Sequence, residues 1–354
     1  MKKLLLLIAF TALSVSLYAQ TEELMGYVPG NVDGFACLDI KELGTHPKVK
    51  EMIDTNPDPQ LAKFKDNLKQ NGIDIYNAFS TGVIFFNGTS KKGGAVFKTG
   101  IDEATFSKLI DNRDTQDSQT QVKRSALDGK TIYIFEKGKQ KTSVAYLKPN
   151  VIAISDLPEE VLKLASISAK ENVTSNTRLM NLSSKADKKS PLWAVFVANT
   201  KSDDGKKKNP DPMQQMLPID NIQGGLLNMK FTGDAKDTVN MDIRLNCKEK
   251  SKAQMLTVQF QAMVMMYIPA LSQGNQQLSE QLMKSIKFTN EENDIVISAV
   301  MDPALQEELK KITESSAANM MNGQLPGQGM KKKKSTAKVV SPDEPALPQA
   351  PKAE

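Results

Sequence analysis

Apolar positions along the chain follow two rhythms. Short runs that are apolar at every second position predict strands, and longer runs with apolar residues three and four apart predict helices. After a polar entry, Val32 to Ile40 reads as a strand. A short helix from Pro47 to about Asp54 follows, then a second from Pro59 to Gln70, because Pro57 and Pro59 cannot lie inside one continuous helix. Leu61, Phe64 and Leu68 form the inward stripe of the second helix, and Asn71-Gly72 is its stop signal. Val83 to Phe86 and Ala95 to Phe97 make a hairpin across Asn87-Gly88; a helix after Asp102 then turns Phe106, Leu109 and Ile110 inward. Thr131 to Phe135, Ser143 to Leu147 and Val151 to Ser155 form a meander, and Asp156 to Glu159 is a D-x-x-E cap ahead of Val161, Leu162 and Ala165.

The same theme returns downstream. Leu192 to Ala198, which holds the one tryptophan, Trp193, is a strongly apolar strand. Leu226 to Phe231 and Val239 to Cys247 pair across Gly233-Asp234 and lead into a Met-rich helix from Ala253 to Tyr267. Ile286 to Phe288 and Ile295 to Val300 are a further pair, and Asp302-Pro303 opens a helix with Leu305, Leu309 and Ile312 inward. Strand-strand-helix units that recur in this way predict an α+β protein of two related halves, residues 20–185 and 186–316, each an antiparallel sheet backed by helices. Lys201 to Pro218 reads as a solvated loop. Residues 317–354 are Gly-, Gln-, Pro- and Lys-rich and are expected to be disordered, since they hold too little apolar surface to offset ordering entropy.

Residues 1–19 change the picture. Lys2-Lys3, the apolar run Leu4 to Leu17 and a small residue at Ala19 have the form of a secretory signal peptide. The run is shorter than the ~20 residues of a spanning helix, so the mature chain is expected to be periplasmic or secreted with no transmembrane span. Charge narrows the partners. Of 46 Lys+Arg and 41 Asp+Glu, two lysines lie in the leader and six lysines and three acids in the tail, which leaves 38 of each sign in the body. A neutral body lacks the clustered excess of a nucleic-acid groove, and no nucleic-acid partner is expected.

Reactive groups are few. Cys37 and Cys247 each sit in a strand-like run; export permits a disulfide between them, and two buried thiols are the alternative. His46 is the sole histidine and begins a helix, so zinc coordination and His-dependent nucleophilic catalysis lack their ligands and bases. Asp39, Asp102, Asp156 and Asp302 each fall between a strand and a helix, the position of an N-cap. No glycine-rich phosphate cradle opens a helix, and no cofactor is expected. Met255, Phe260, Met263, Met266 and Tyr267 belong to a helix apolar on nearly all sides, which reads as a central buried helix or as a groove for a lipid or hydrophobic peptide.

Tyr27-Val28-Pro29, the strand ending Leu38-Asp39, and Asn71-Gly72-Ile73-Asp74-Ile75 before the strand at Val83 resemble a group of uncharacterised exported bacterial proteins. That resemblance implies a duplicated α+β scaffold and brings no site residue with it. The expectation is an exported noncatalytic structural or binding protein of the envelope, with an unidentified envelope or extracellular protein or polymer as partner. A carrier of an apolar ligand such as lipid, and a carboxylate-based hydrolase, are the alternatives.

Overall fold

The computed structural model describes residues 20–321, apart from 57, 89–91, 115–120, 128, 139, 157, 199–218, 234–236 and 273. The expected leader, the loop from Lys201 to Pro218, and the tail beyond residue 321 lie outside the described residues. The strands are β1 (Gly34–Asp39), β2 (Phe79–Asn87), β3 (Lys92–Thr99), β4 (Gln121–Leu127), β5 (Lys130–Lys137), β6 (Gln140–Lys148), β7 (Val151–Ser155), β8 (Leu192–Val197), β9 (Ile222–Thr232), β10 (Thr238–Cys247), β11 (Ile286–Glu291) and β12 (Asp294–Met301). The helices are α1 (residues 20–25), α2 (Ile40–Thr45), α3 (Pro47–Thr55), α4 (Pro59–Gln70), α5 (Ile75–Ala78), α6 (Glu103–Asp114), α7 (Pro158–Ser166), α8 (Thr177–Ser183), α9 (Lys250–Leu271), α10 (Gln276–Ser285) and α11 (Pro303–Met321). Ala317 to Met321, expected to begin the tail, are the end of α11.

The class is α+β with antiparallel strands, but the halves do not carry separate sheets. All twelve strands form one sheet in the order β11-β12-β10-β9-β8-β1-β2-β3-β7-β6-β5-β4. The join is β1 with β8: both are short apolar strands whose edges would otherwise be open, and Phe35 lies opposite Val195 and Cys37 opposite Trp193. Outward from this join the orders are β1-β2-β3-β7-β6-β5-β4 and β8-β9-β10-β12-β11, so in each direction the third strand is followed by the last strand of its half. This is a correspondence of strand order and does not establish an internal duplication. The described residues up to Glu307 belong to one compact unit.

The two faces of the sheet are unlike. Side chains alternate between faces, and on the first face Phe35, Cys37, Val83, Val96, Ala153, Trp193, Val195 and Leu226 are buried. Leu24 of α1, Val161 and Leu164 of α7, and Leu179 of α8 belong to the same cluster. Toward β12 this face turns polar: Trp193 is followed across the ladder by Asn228, Asp242 and Ser298. The second face carries a smaller cluster of Ile222, Leu245, Cys247 and Ile295 with Ala253 and Leu256 of α9. A third cluster joins Leu68, Ala78, Ile101 and Leu109 of the α4–α6 region.

Opposite faces separate the cysteines. Cys37 is in the first cluster and Cys247 in the second, and both are free buried thiols. Three strand steps, about 14 Å at the usual ~4.8 Å spacing, exceed the reach of a disulfide, so the Cys37–Cys247 bond is not formed. Burial is the main cause that pushes both thiols above their ordinary range.

Local signals are satisfied as the sequence predicts. The carboxylates of Asp39, Asp102 and Asp302 accept from the amides of Glu42, Thr105 and Leu305 at 2.9, 2.8 and 2.8 Å. Gly72, at φ 71°, ends α4 in the left-handed conformation that glycine adopts without strain, and Ile73 N–H donates back to Leu68 O. Glu23 of α1 is held by Lys98 of β3 at 2.8 Å and Lys148 of β6 at 2.7 Å. Hydrogen bonds from Lys148 and then Lys98 keep its carboxyl below the ordinary glutamate value. Because the folded value is depressed, this contribution is complete above the ordinary carboxylate range and disappears as pH falls through the lowered value. Denaturation midpoints measured from pH 7 to pH 3 should therefore fall more steeply for the native chain than for Glu23→Gln. Parallel curves would show that the contacts contribute nothing.

Candidate functional site

The second face of the sheet is apolar from one edge almost to the other. One row runs through Phe288, Ile297, Ile243, Leu227, Ala194, Ala36, Ile84, Ala95, Ile154, Val144 and Tyr133, register partner to register partner. Helices cover its two ends. Phe106 of α6 packs edge-on against Tyr133, and Tyr146 donates to Ile101 O at 2.9 Å. At the other end α9 lies on β10, β11 and β12. Between them Ala36, Ala194, Phe196, Leu227, Met229 and Ile243 are half-buried, and Ile84 and Phe86 on β2 are 43% and 46% exposed. In the middle of this face α2 packs on β2 at its Gly82 end and His46 stacks on Phe231 of β9, so the open apolar floor is the Ile84–Phe86 end, where an interior strand presents large apolar side chains to solvent. The sequence signal for it is the apolar character of both parities in Phe35–Leu38 of β1, Val83–Phe86 of β2 and all of β8, which predicts burial on both sides.

The α9 helix corrects the expectation of a fully buried element. Its inward side is fixed by Leu256 in the cluster and by Thr257, whose hydroxyl donates to Ala253 O at 2.9 Å and accepts from Asn290 Nδ2 of β11 at 2.7 Å. Its C-terminus is held where Ser272 N–H donates to Ile268 O and the Ser272 and Ser279 hydroxyls meet at 2.6 Å. The other side faces water. Of the five expected groove residues, Phe260 and Met263 are half-buried, whereas Met255, Met266 and Tyr267 are exposed. The helical period explains the split for four of them: Phe260 and Met263 lie toward the sheet side, while Met255 and Met266 belong to the opposite one; Tyr267 shares the side of Phe260 but lies near the helix end and is exposed. The five residues do not line one groove.

A separate cleft of about 740 Å³ lies beyond the ends of β2 and β3, with Phe85, Leu164 and Ile167 in its lining and Lys92, Glu160, Lys163 and Glu171 around it. Its wall is pinned by Gly30, whose N–H donates to Glu171 O at 2.6 Å. A Cβ there would stand 2.9 Å from the backbone oxygens of Glu171 and Asn172, so only glycine allows this approach. Glu160 pairs with Lys92 at 3.4 Å, and Glu171 accepts from Ser168 Oγ at 2.7 Å, which lowers its carboxyl below the ordinary value. A catalytic acid needs the opposite shift. Among the described carboxyls, Asp39 is raised, with burial as the main cause, and it caps α2. No group of three or more metal-ligating side chains occurs among the described residues. His46 is buried and stacked on Phe231 at 3.8 Å, and neither ring nitrogen has a hydrogen-bond partner.

No helix among the described residues is long and apolar enough to cross a membrane. No protein-family model matches the chain, and no curated protein does. Solved structures of TP0453 in crystal forms III, IV and I are similar at TM-scores of 0.47, 0.44 and 0.44 with 12%, 10% and 12% identity. They cover 82%, 83% and 82% of this chain and 98%, 96% and 96% of their own. At these values the likeness carries no argument about this chain.

Proposed function

We propose that the chain is a noncatalytic exported binding protein, periplasmic or secreted, that receives an apolar ligand on the open floor of its sheet. The observation that supports this reading is the pair Ile84 and Phe86, exposed on β2 and continuous with a half-buried apolar row across β1, β8, β9 and β10. Uncovered apolar area of this extent is costly in water, and an apolar ligand lowers that cost. The floor carries no charge, so it selects for hydrocarbon rather than for a headgroup.

Titration of the purified chain with a fluorescent fatty-acyl probe tests the reading. Saturable binding is expected, and Ile84→Gln should weaken it by at least roughly tenfold, with little change in stability because Ile84 is already solvent-facing. Absence of saturable binding, or equal binding by Ile84→Gln, would remove the proposal.

A further inference from the structure

The outer side of α9 carries a second apolar surface, distinct from the floor. Met255, Val258, Met265 and Met266 are 40%, 66%, 51% and 57% exposed, and Ala262 and Pro269 between and beyond them are exposed too. The positions 255, 258, 262, 265 and 269 step by three, four, three and four, the spacing of a seam that packs against another helix. The inward residues Ala253, Leu256, Thr257 and Phe260 hold the helix on the sheet independently of this stripe. It is therefore preformed, and nothing has to be released for it to engage a partner.

We propose that this stripe docks a second copy of the chain, in a twofold helix pair centred on Ala262. Charge selects this occupant. From Ala253 to Ser272 there is no Asp, Glu, Lys or Arg, and the exposed Gln254 and Gln261 border the stripe on one side. In a twofold contact each patch meets itself, so a charged rim would oppose like charges, whereas glutamine both donates and accepts and complements its own copy. A helix that lies on an anionic lipid surface carries Lys or Arg along its polar face; here Lys250 and Lys252 are confined to the first turn. The small side chain of Ala262 lets the two backbones approach, and Val258 of one copy then faces Met265 and Met266 of the other. Size sets the strength: the stripe offers roughly 400 Å² per copy, about half the ~800 Å² per partner of a standard interface. The dimer is accordingly weak and reversible, half-formed on the order of 10–100 µM.

Sedimentation velocity of the purified full chain across that range should show a concentration-dependent monomer–dimer equilibrium. Val258→Glu with Met265→Glu should remain monomeric at ten times the native midpoint, with unchanged circular dichroism because neither side chain packs inward. Ala262→Cys should give a disulfide-linked dimer on mild oxidation, and the native thiols, being buried, should not. A native chain that stays monomeric throughout, a double variant that dimerises as the native chain does, or an Ala262→Cys chain that fails to cross-link would each overturn the proposal. Ile84→Gln lies on the floor and should leave the dimer intact, so loss of ligand binding and loss of dimerisation are read separately.

Discussion

Phe35→Ala should lower the stability of the chain by about 3–5 kcal/mol, the largest effect expected of any single substitution considered. Phe35 is fully buried on β1, the strand that joins the two parts of the sheet. It lies opposite Phe85 on one neighbour and Val195 on the other, and meets Trp193 edge-to-face at 5.6 Å. Truncation leaves a cavity bounded by paired strands on both sides, which cannot collapse without disturbing two ladders. Trp193, as the one tryptophan, reports directly on the affected join. Urea denaturation followed by its fluorescence gives the change, and a loss under about 1 kcal/mol would mean that the join does not depend on this side chain.

Leu256→Ala should cost about 2–5 kcal/mol, while Val258→Ala, two residues along the same helix, should change stability by no more than about 0.5 kcal/mol. Leu256 is fully buried against the sheet with Ala253, Ile222 and Ile295. Val258 is among the most exposed apolar residues described. The contrast is a stricter test than either value alone, since both substitutions shorten an aliphatic side chain in one helix and raise helix propensity or leave it nearly unchanged. Similar costs at the two positions would show that both sides of α9 are packed.

Much of the secondary structure was legible because its signals are local. The Asn71-Gly72 stop, the strand alternation in Val239 to Cys247, and the capping roles of Asp39, Asp102 and Asp302 each depend on neighbours within a few residues, and the structure places them as expected. The edge strand β4 (Gln121–Leu127) was not legible: its sequence QVKRSAL has too few apolar positions to show a period, because an edge strand is half-solvated. The six-residue α2 was also missed, since it follows β1 without a turn and is shorter than the window in which a helical period can be recognised.

The candidate surfaces were harder to read, for a different reason. Whether an apolar residue is inside depends on what packs over it, and that is tertiary information. In α9 two apolar stripes run down one helix, so its composition reads as burial on all sides; the sheet uses one stripe, and the other remains in water. In β2 both parities are apolar, yet one face is a core and the other a floor. The same argument accounts for the cysteines. Both lie on apolar strand faces, as the alternation indicates, but register across four strands puts those faces on opposite sides of the sheet.

Ligand binding on the floor and pairing through α9 both require large apolar side chains standing in water, and thiol labelling of the native chain tests this directly. Cys37 and Cys247 are both buried, so the unmodified protein should take up almost no reagent without denaturant. At submicromolar concentration, where the chain is monomeric, Ile84→Cys and Val258→Cys should each take up one equivalent at close to the rate of an unfolded control, and Leu256→Cys should stay protected. If Ile84→Cys and Val258→Cys are as protected as Leu256→Cys, both surfaces are covered in the native chain and the binding account is contradicted.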